Sequence, residues 1–100
     1  MNIGIDIVRV SRIEELLRDP TRAAQMFTAE EMSDDVQTMA GRFAAKEAYF
    51  KAVGEKRDWK SVTVLKREGG MPYLVCPEEK RAKVSISHDG EYATAIVFIE

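Results

Sequence analysis

Only one cysteine, Cys76, occurs in the 100 residues, which excludes an internal disulfide and a cysteine-rich metal site. No run of 18 apolar residues is present, so no membrane-spanning helix is expected. The first residues carry no signal-peptide pattern, and the expected location is cytoplasmic. Neither sign of charge dominates: 15 Lys and Arg against 17 Asp and Glu leave a formal charge of −2. A global basic field of the kind that binds nucleic acid is therefore missing. Internal repeats, low-complexity segments and linker-like stretches are absent too, so one small domain over residues 1–100 is expected. What is present is ordinary for a folded globular chain, 45% apolar and 32% charged. The charges are unevenly placed. Arg9, Arg12, Arg18 and Arg22 cluster early, beside the acidic stretch of Glu30, Glu31, Asp34 and Asp35.

Residues 2–8 alternate, with Ile3, Ile5 and Ile7 on one face and Gly4, Asp6 and Val8 on the other, which predicts a strand. Ser11 can cap a short helix running to about Asp19, where Pro20 stops it. Thr28-Ala29-Glu30-Glu31 has the capping-box pattern and opens a further short turn. The main helix is predicted over 36–53, with Asp34 or Asp35 as its cap and Gly54 at its end. Strands are expected over 61–67 and 72–76, joined through Gly69-Gly70, and over 83–88 and 91–99, joined by Asp89-Gly90 in a type I′ hairpin. The fold class is α+β, an N-terminal strand and helices packed on an antiparallel sheet. Residues 93–99 have little polar alternation, so both faces of that strand should be covered, and in so small a chain that implies subunit contacts.

Two carboxylates fall where apolar side chains belong. Asp6 interrupts the opening strand, and Glu47 lies four residues after Phe43 and three before Phe50. A buried carboxylate requires a partner, either a cation or a set of donors. Two hard oxygen ligands on separate elements, with basic residues nearby, suit a magnesium–phosphate site. The plainer reading is a pair of structural ion pairs with Lys46 or Arg42. Glu47 and Lys51 also stand in the favourable i,i+4 order for a helical pair. His88, at a strand end before a turn, reads on its own as a surface or capping group, and Trp59 and Tyr49 read as packing residues.

Four blocks resemble a known family in order and spacing across nearly the whole chain. They are Asn2-Ile3-Gly4-Ile5-Asp6-Ile7-Val8, Arg42-Phe43-Ala44-Ala45-Lys46-Glu47-Ala48, Gly70-Met71-Pro72 and Val84-Ser85-Ile86-Ser87-His88. Together they are similar to the holo-[acyl-carrier-protein] synthases, the short bacterial 4′-phosphopantetheinyl transferases. The resemblance implies transfer of the 4′-phosphopantetheine arm of coenzyme A (CoA) to a serine of apo acyl carrier protein, releasing adenosine 3′,5′-bisphosphate. It implies Asp6 and Glu47 as magnesium ligands, with Glu47, directly or through a metal-bound water, as the base and Lys51 at the phosphates. It further implies Arg42 and His88 near the CoA 3′-phosphate, Gly54 and Pro72 as backbone positions along the CoA cleft, and Arg12 as a docking residue for the acidic carrier. A homotrimer with a sheet-lined core is implied as well, each cleft shared between neighbouring subunits.

The chain departs from the family pattern in places. It is short between Pro77 and Val84, carries Asp34 and Asp35 where basic residues are common, and has Met71 in the Gly-x-Pro turn. These departures favour one competing reading, a degenerate module that binds CoA or the carrier without catalysis; a separate one is a structural oligomeric domain in which Asp6 and Glu47 merely pair with Lys46 or Lys51.

Overall fold

A computed structural model describes residues 1–76 and 81–100. Its centre is one helix, and the rest of the chain wraps it. The first strand, β1 (Asn2–Arg9), runs directly into α1 (Val10–Leu17), followed by α2 (Pro20–Met26), a 3-10 turn (Ala29–Glu31) and the central α3 (Val36–Val53). A second 3-10 turn (Trp59–Ser61) leads to β2 (Thr63–Lys66) and β3 (Pro72–Val75), and the chain closes with β4 (Ala82–Asp89) and β5 (Tyr92–Ile99). Among the described residues no helix is long and apolar enough to cross a membrane.

The α+β class is as expected, but the N-terminal strand does not pack on the sheet; it is part of it. The order is β1-β5-β4, antiparallel throughout, while β2 and β3 form a separate two-stranded ribbon. Asp6 lies opposite Ala95, and Ala95 opposite Ile86. That register turns Gly4, Asp6, Val8, Ala93, Ala95 and Val97 toward α3, and the buried positions alternate accordingly. The other face carries Ile3, Ile5 and Ile7 at 62%, 61% and 65% exposure, beside Ile96 at 39%. The strand expected to be covered on both faces is thus covered on one within a single chain.

Helix α3 has both of its expected ends. Asp35 caps it, its Oδ1 accepting from the Gln37 N–H at 3.3 Å, and Gly54 ends it with φ +92°, its N–H donating to the Phe50 carbonyl at 2.8 Å. The helix is buried on nearly every side, as befits a core element apolar around most of its circumference. Its small residues let the sheet approach closely. A Cβ built on Gly4 would stand 2.0 Å from the Ala48 carbonyl oxygen, so β1 can cross α3 there only without a side chain.

Three local expectations are corrected. Ser11 is not the cap of α1, which begins one residue earlier; Arg9 precedes it, and the Val10 N–H donates to the Glu91 carbonyl at 2.7 Å. The first helix stops at Leu17, and Pro20 opens α2 instead of merely ending α1. Asp19 Oδ1 caps that helix by accepting from the Thr21 and Arg22 N–H groups at 3.1 and 3.2 Å, and proline needs no donor at the first helical position. The β4–β5 turn falls one residue later than expected, since Asp89 pairs with Tyr92 and leaves Gly90-Glu91 as the loop. Gly90 has φ +58° and, among the described residues, no non-glycine residue has positive φ, Glu91 included, which marks a type II′ turn, not type I′. The shortened segment noted after Pro77 lies largely outside the described residues.

Candidate active site

Asp6 and Glu47 meet at one cleft. The strand brings Asp6 to the inner face of the sheet, and α3 presents Glu47 beside it. The two line a cavity of about 380 Å³ with Arg12, Arg22, Lys56, Phe43 and Trp59. Neither carboxylate is deeply buried: their side chains are 14% and 26% exposed. Burial nevertheless pushes the Asp6 carboxyl above its ordinary pKa; the Lys51 ammonium opposes this, while the charge of Glu47 adds to it. The two acids therefore feel each other across the cleft.

Each acid already has a lysine. Lys51 Nζ donates to Asp6 Oδ1 at 3.2 Å and to the Ile5 carbonyl at 3.0 Å, and Lys56 Nζ lies 3.6 Å from Glu47 Oε1. The expected Glu47–Lys51 helical pair is not formed, because Lys51 reaches across to β1. Nor do Lys46 or Arg42 serve these acids. Both turn to Glu31: Lys46 Nζ donates to its Oε1 at 2.9 Å and Arg42 Nη1 to its backbone carbonyl. Among the described residues the fully buried carboxylate is Glu31, which the sequence shows as a capping-box residue within an acidic stretch.

Arg12 lines the same cleft as the two acids, its guanidinium 5.7 Å from the Phe43 ring centre. Arg42, Pro72 and His88 line a different cleft, of about 160 Å³, together with Gln37, Thr38 and Lys66. The two clefts share no lining residue. Gly54 lines neither of them and stands at the end of α3. Gly54 apart, the residues singled out from sequence thus divide into two groups within one chain.

Lys56 and Trp59 were not read as site residues. Lys56 falls two positions beyond the helix-ending Gly54, outside any periodic pattern. Trp59 does pack, stacked on Phe43 with ring centres 5.2 Å apart, but it also forms a wall of the cleft.

Among the described residues no three His, Cys, Asp or Glu side chains gather into a metal cluster. Asp6 and Glu47 still suit a hard divalent cation such as magnesium, which is commonly held by one or two carboxylates and fills its shell with water and phosphate oxygens. Their mutual repulsion is what such a cation relieves. Without a cation, Asp6→Asn should raise Tm at neutral pH by a few degrees. The sign follows from the raised carboxyl pKa: below about 3.8 the group is neutral folded or unfolded, and as pH rises through the raised folded value the native state loses stability. The gain should fade as pH drops toward that value, and a gain that stays constant across pH, measured by thermal scans in EDTA, would contradict it.

Comparison with known proteins covers nearly the whole chain. The profile of the 4′-phosphopantetheinyl transferase superfamily matches residues 2–97. The holo-[acyl-carrier-protein] synthase of Anoxybacillus flavithermus is 38% identical over 114 aligned positions, covering 100% of this chain and 95% of the relative. That of Bacillus subtilis is 34% identical, covering 98% and 93%. Among solved structures, the holo-(acyl-carrier-protein) synthase of Bacillus anthracis in complex with CoA (3′,5′-ADP) superposes with a TM-score of 0.88 at 35% identity, covering 99% of this chain and 95% of that one. The Helicobacter pylori enzyme in complex with coenzyme A gives a TM-score of 0.78 at 27% identity, with coverage of 98% and 99%. A match of this extent in both sequence and fold makes the chain a member of the 4′-phosphopantetheinyl transferase superfamily and, within it, of the holo-[acyl-carrier-protein] synthases.

Proposed function

We propose that this chain, acting as a single domain in the cytoplasm, transfers the 4′-phosphopantetheine group of CoA to a serine of apo acyl carrier protein. The reaction is magnesium-dependent and releases adenosine 3′,5′-bisphosphate. The observation that carries the reading is the pair Asp6 and Glu47 at one cleft with Lys51 bonded to the first. The serine oxygen forms a bond to the phosphorus that bears the pantetheine arm, and the bond from that phosphorus to the oxygen of the departing nucleotide breaks. Asp6 and Glu47 would hold the magnesium ion, which would supply Lewis-acid neutralisation of the charge developing on the diphosphate. Glu47 takes the serine proton, and Lys51 moves from Asp6 toward the phosphates.

The second cleft supplies the nucleotide end. Arg42 and His88 meet the 3′-phosphate, while Gly54 and Pro72 offer backbone along the CoA path. Because the two groups lie in separate clefts of one chain, the complete site is assembled between copies in a homotrimer. The exposed Ile3, Ile5, Ile7 and Ile96 face supports this, since an uncovered apolar patch of that kind marks an interface. Arg12, at the mouth of the acidic pair, meets the acidic carrier protein.

The test is to incubate the protein with CoA, magnesium and an apo acyl carrier protein, then weigh the intact carrier. A carrier heavier by one phosphopantetheine, only when magnesium is present, is the expected result. An unmodified carrier despite bound CoA would favour the non-catalytic module.

A further inference from the structure

We infer that Lys56 is a diphosphate-binding residue of the Asp6–Glu47 cleft, held ready in the free protein by Glu47 and the face of Trp59. The inference rests on the transferase reading and adds a residue to its site. Lys56 is an exposed lysine, 64% accessible, and such side chains ordinarily move freely. This one is placed. Its ammonium lies 3.6 Å from Glu47 Oε1 and 4.5 Å from the centre of the Trp59 ring. The ring is itself fixed, stacked on Phe43 and meeting Phe50 edge-on at 5.4 Å. A cation resting on a rigid aromatic wall loses little freedom when an anion arrives, which favours binding.

The charge around the cleft points the same way. Arg12, Arg22, Lys51 and Lys56 outnumber the two carboxylates, so the cleft attracts an anion as well as a cation. Lys51 holds Asp6 from one side and Lys56 holds Glu47 from the other. When a divalent ion takes both carboxylates, each lysine loses its counter-ion next to the place where a diphosphate must lie. Charge-assisted bonds from ammonium to phosphate oxygen then replace the carboxylate pairs. Lys60, three residues before Thr63, lines a different depression with Pro20 and Asp58 and takes no part.

The alternative is that Lys56 only neutralises Glu47. Calorimetric titration of CoA in EDTA into the wild type, Lys56→Met, Glu47→Ala and the double variant separates the two. If Lys56 contacts the diphosphate, Lys56→Met weakens CoA binding about fivefold to tenfold both with and without Glu47. Lys56→Arg should recover most of the loss, and Lys60→Met should bind as the wild type does. A loss that disappears in the Glu47→Ala background, or equal weakening by Lys60→Met, would overturn the inference and leave the transferase reading intact. Absence of CoA binding by the wild type in magnesium as well as in EDTA would overturn both.

Discussion

Lys46→Met should destabilise the protein by about 3–5 kcal/mol, the cost of removing one member of a buried ion pair. The ammonium is fully buried and all three of its donors are used, by Glu31 Oε1 at 2.9 Å, the Trp59 carbonyl at 2.8 Å and the Val62 carbonyl at 2.8 Å. Glu31 is equally committed. Its Oε1 also accepts from the Thr28 N–H at 2.9 Å and hydroxyl at 3.2 Å, and its Oε2 accepts from the Val64 N–H at 2.8 Å. One ion pair therefore ties the turn before α3, α3 itself, the Trp59 turn and β2. Burial pushes the Lys46 ammonium toward its neutral form, and the bond and charge of Glu31 oppose that shift. With methionine in place, a carboxylate and two carbonyls are left in the dry core with a partner missing. Since a domain of this kind holds only about 5–15 kcal/mol in total, much of its stability goes with them. Urea unfolding should show the midpoint fall sharply; a loss under about 1 kcal/mol would mean that these groups find new partners easily.

The sequence pattern came close to this pair without identifying it. Met39, Phe43, Lys46 and Phe50 are spaced by four, three and four, so Lys46 fits the buried stripe at least as well as Glu47 does. Periodicity places a face to within a residue or so and cannot rank two neighbouring charges on it. The deciding factor was Glu31, fifteen residues upstream, whose capping-box role accounts for one oxygen and leaves the other free to take the Val64 N–H. Such non-local partners leave no mark on spacing. Signals contained in a few adjacent residues fared better. Asp35 and Gly54 bound α3, and the isoleucine alternation divided β1 into its two faces. Pro20 misled because proline both ends one helix and begins the next, and only the Asp19 side chain, turned to the following N–H groups, decides which.

The candidate site was legible as a set of residue types and much less so as a set of contacts. Asp6 and Glu47 were noticed because each breaks an apolar pattern. That Lys51 would choose Asp6 over its helical neighbour depended on β1 crossing α3 at Gly4, a packing event that no local rule contains. Lys56 and Trp59 lie in an irregular stretch where sequence offers no periodicity to depart from. Arg42 and His88 were assigned to the same site, from a neighbouring copy, by resemblance alone, and within one chain they line a separate cleft.

That separation leads to the second large effect. On the proposed mechanism Glu47→Ala should lower transfer by about 100-fold or more, the usual range for losing a general base, and it would also remove a proposed magnesium ligand. His88→Ala should weaken the nucleotide end of the same reaction. Both positions tolerate the change structurally, since Glu47 is partly exposed and His88 lies exposed at the end of β4. Arg42 would be a poorer choice, being buried and bonded to the Glu31 carbonyl. If each working cleft in the proposed trimer takes Glu47 from one copy and His88 from the next, unfolding and refolding an equal mixture of the two variants distributes them at random around the ring. About a quarter of the clefts then receive both wild-type side chains, because each half is intact with a chance of one in two. Activity should rise toward that fraction of the wild-type value, well above either variant alone. A mixture no more active than the sum of its parts, with native mass spectrometry showing mixed trimers, would place both residues in one chain's cleft. A fully active monomer would remove the shared site altogether.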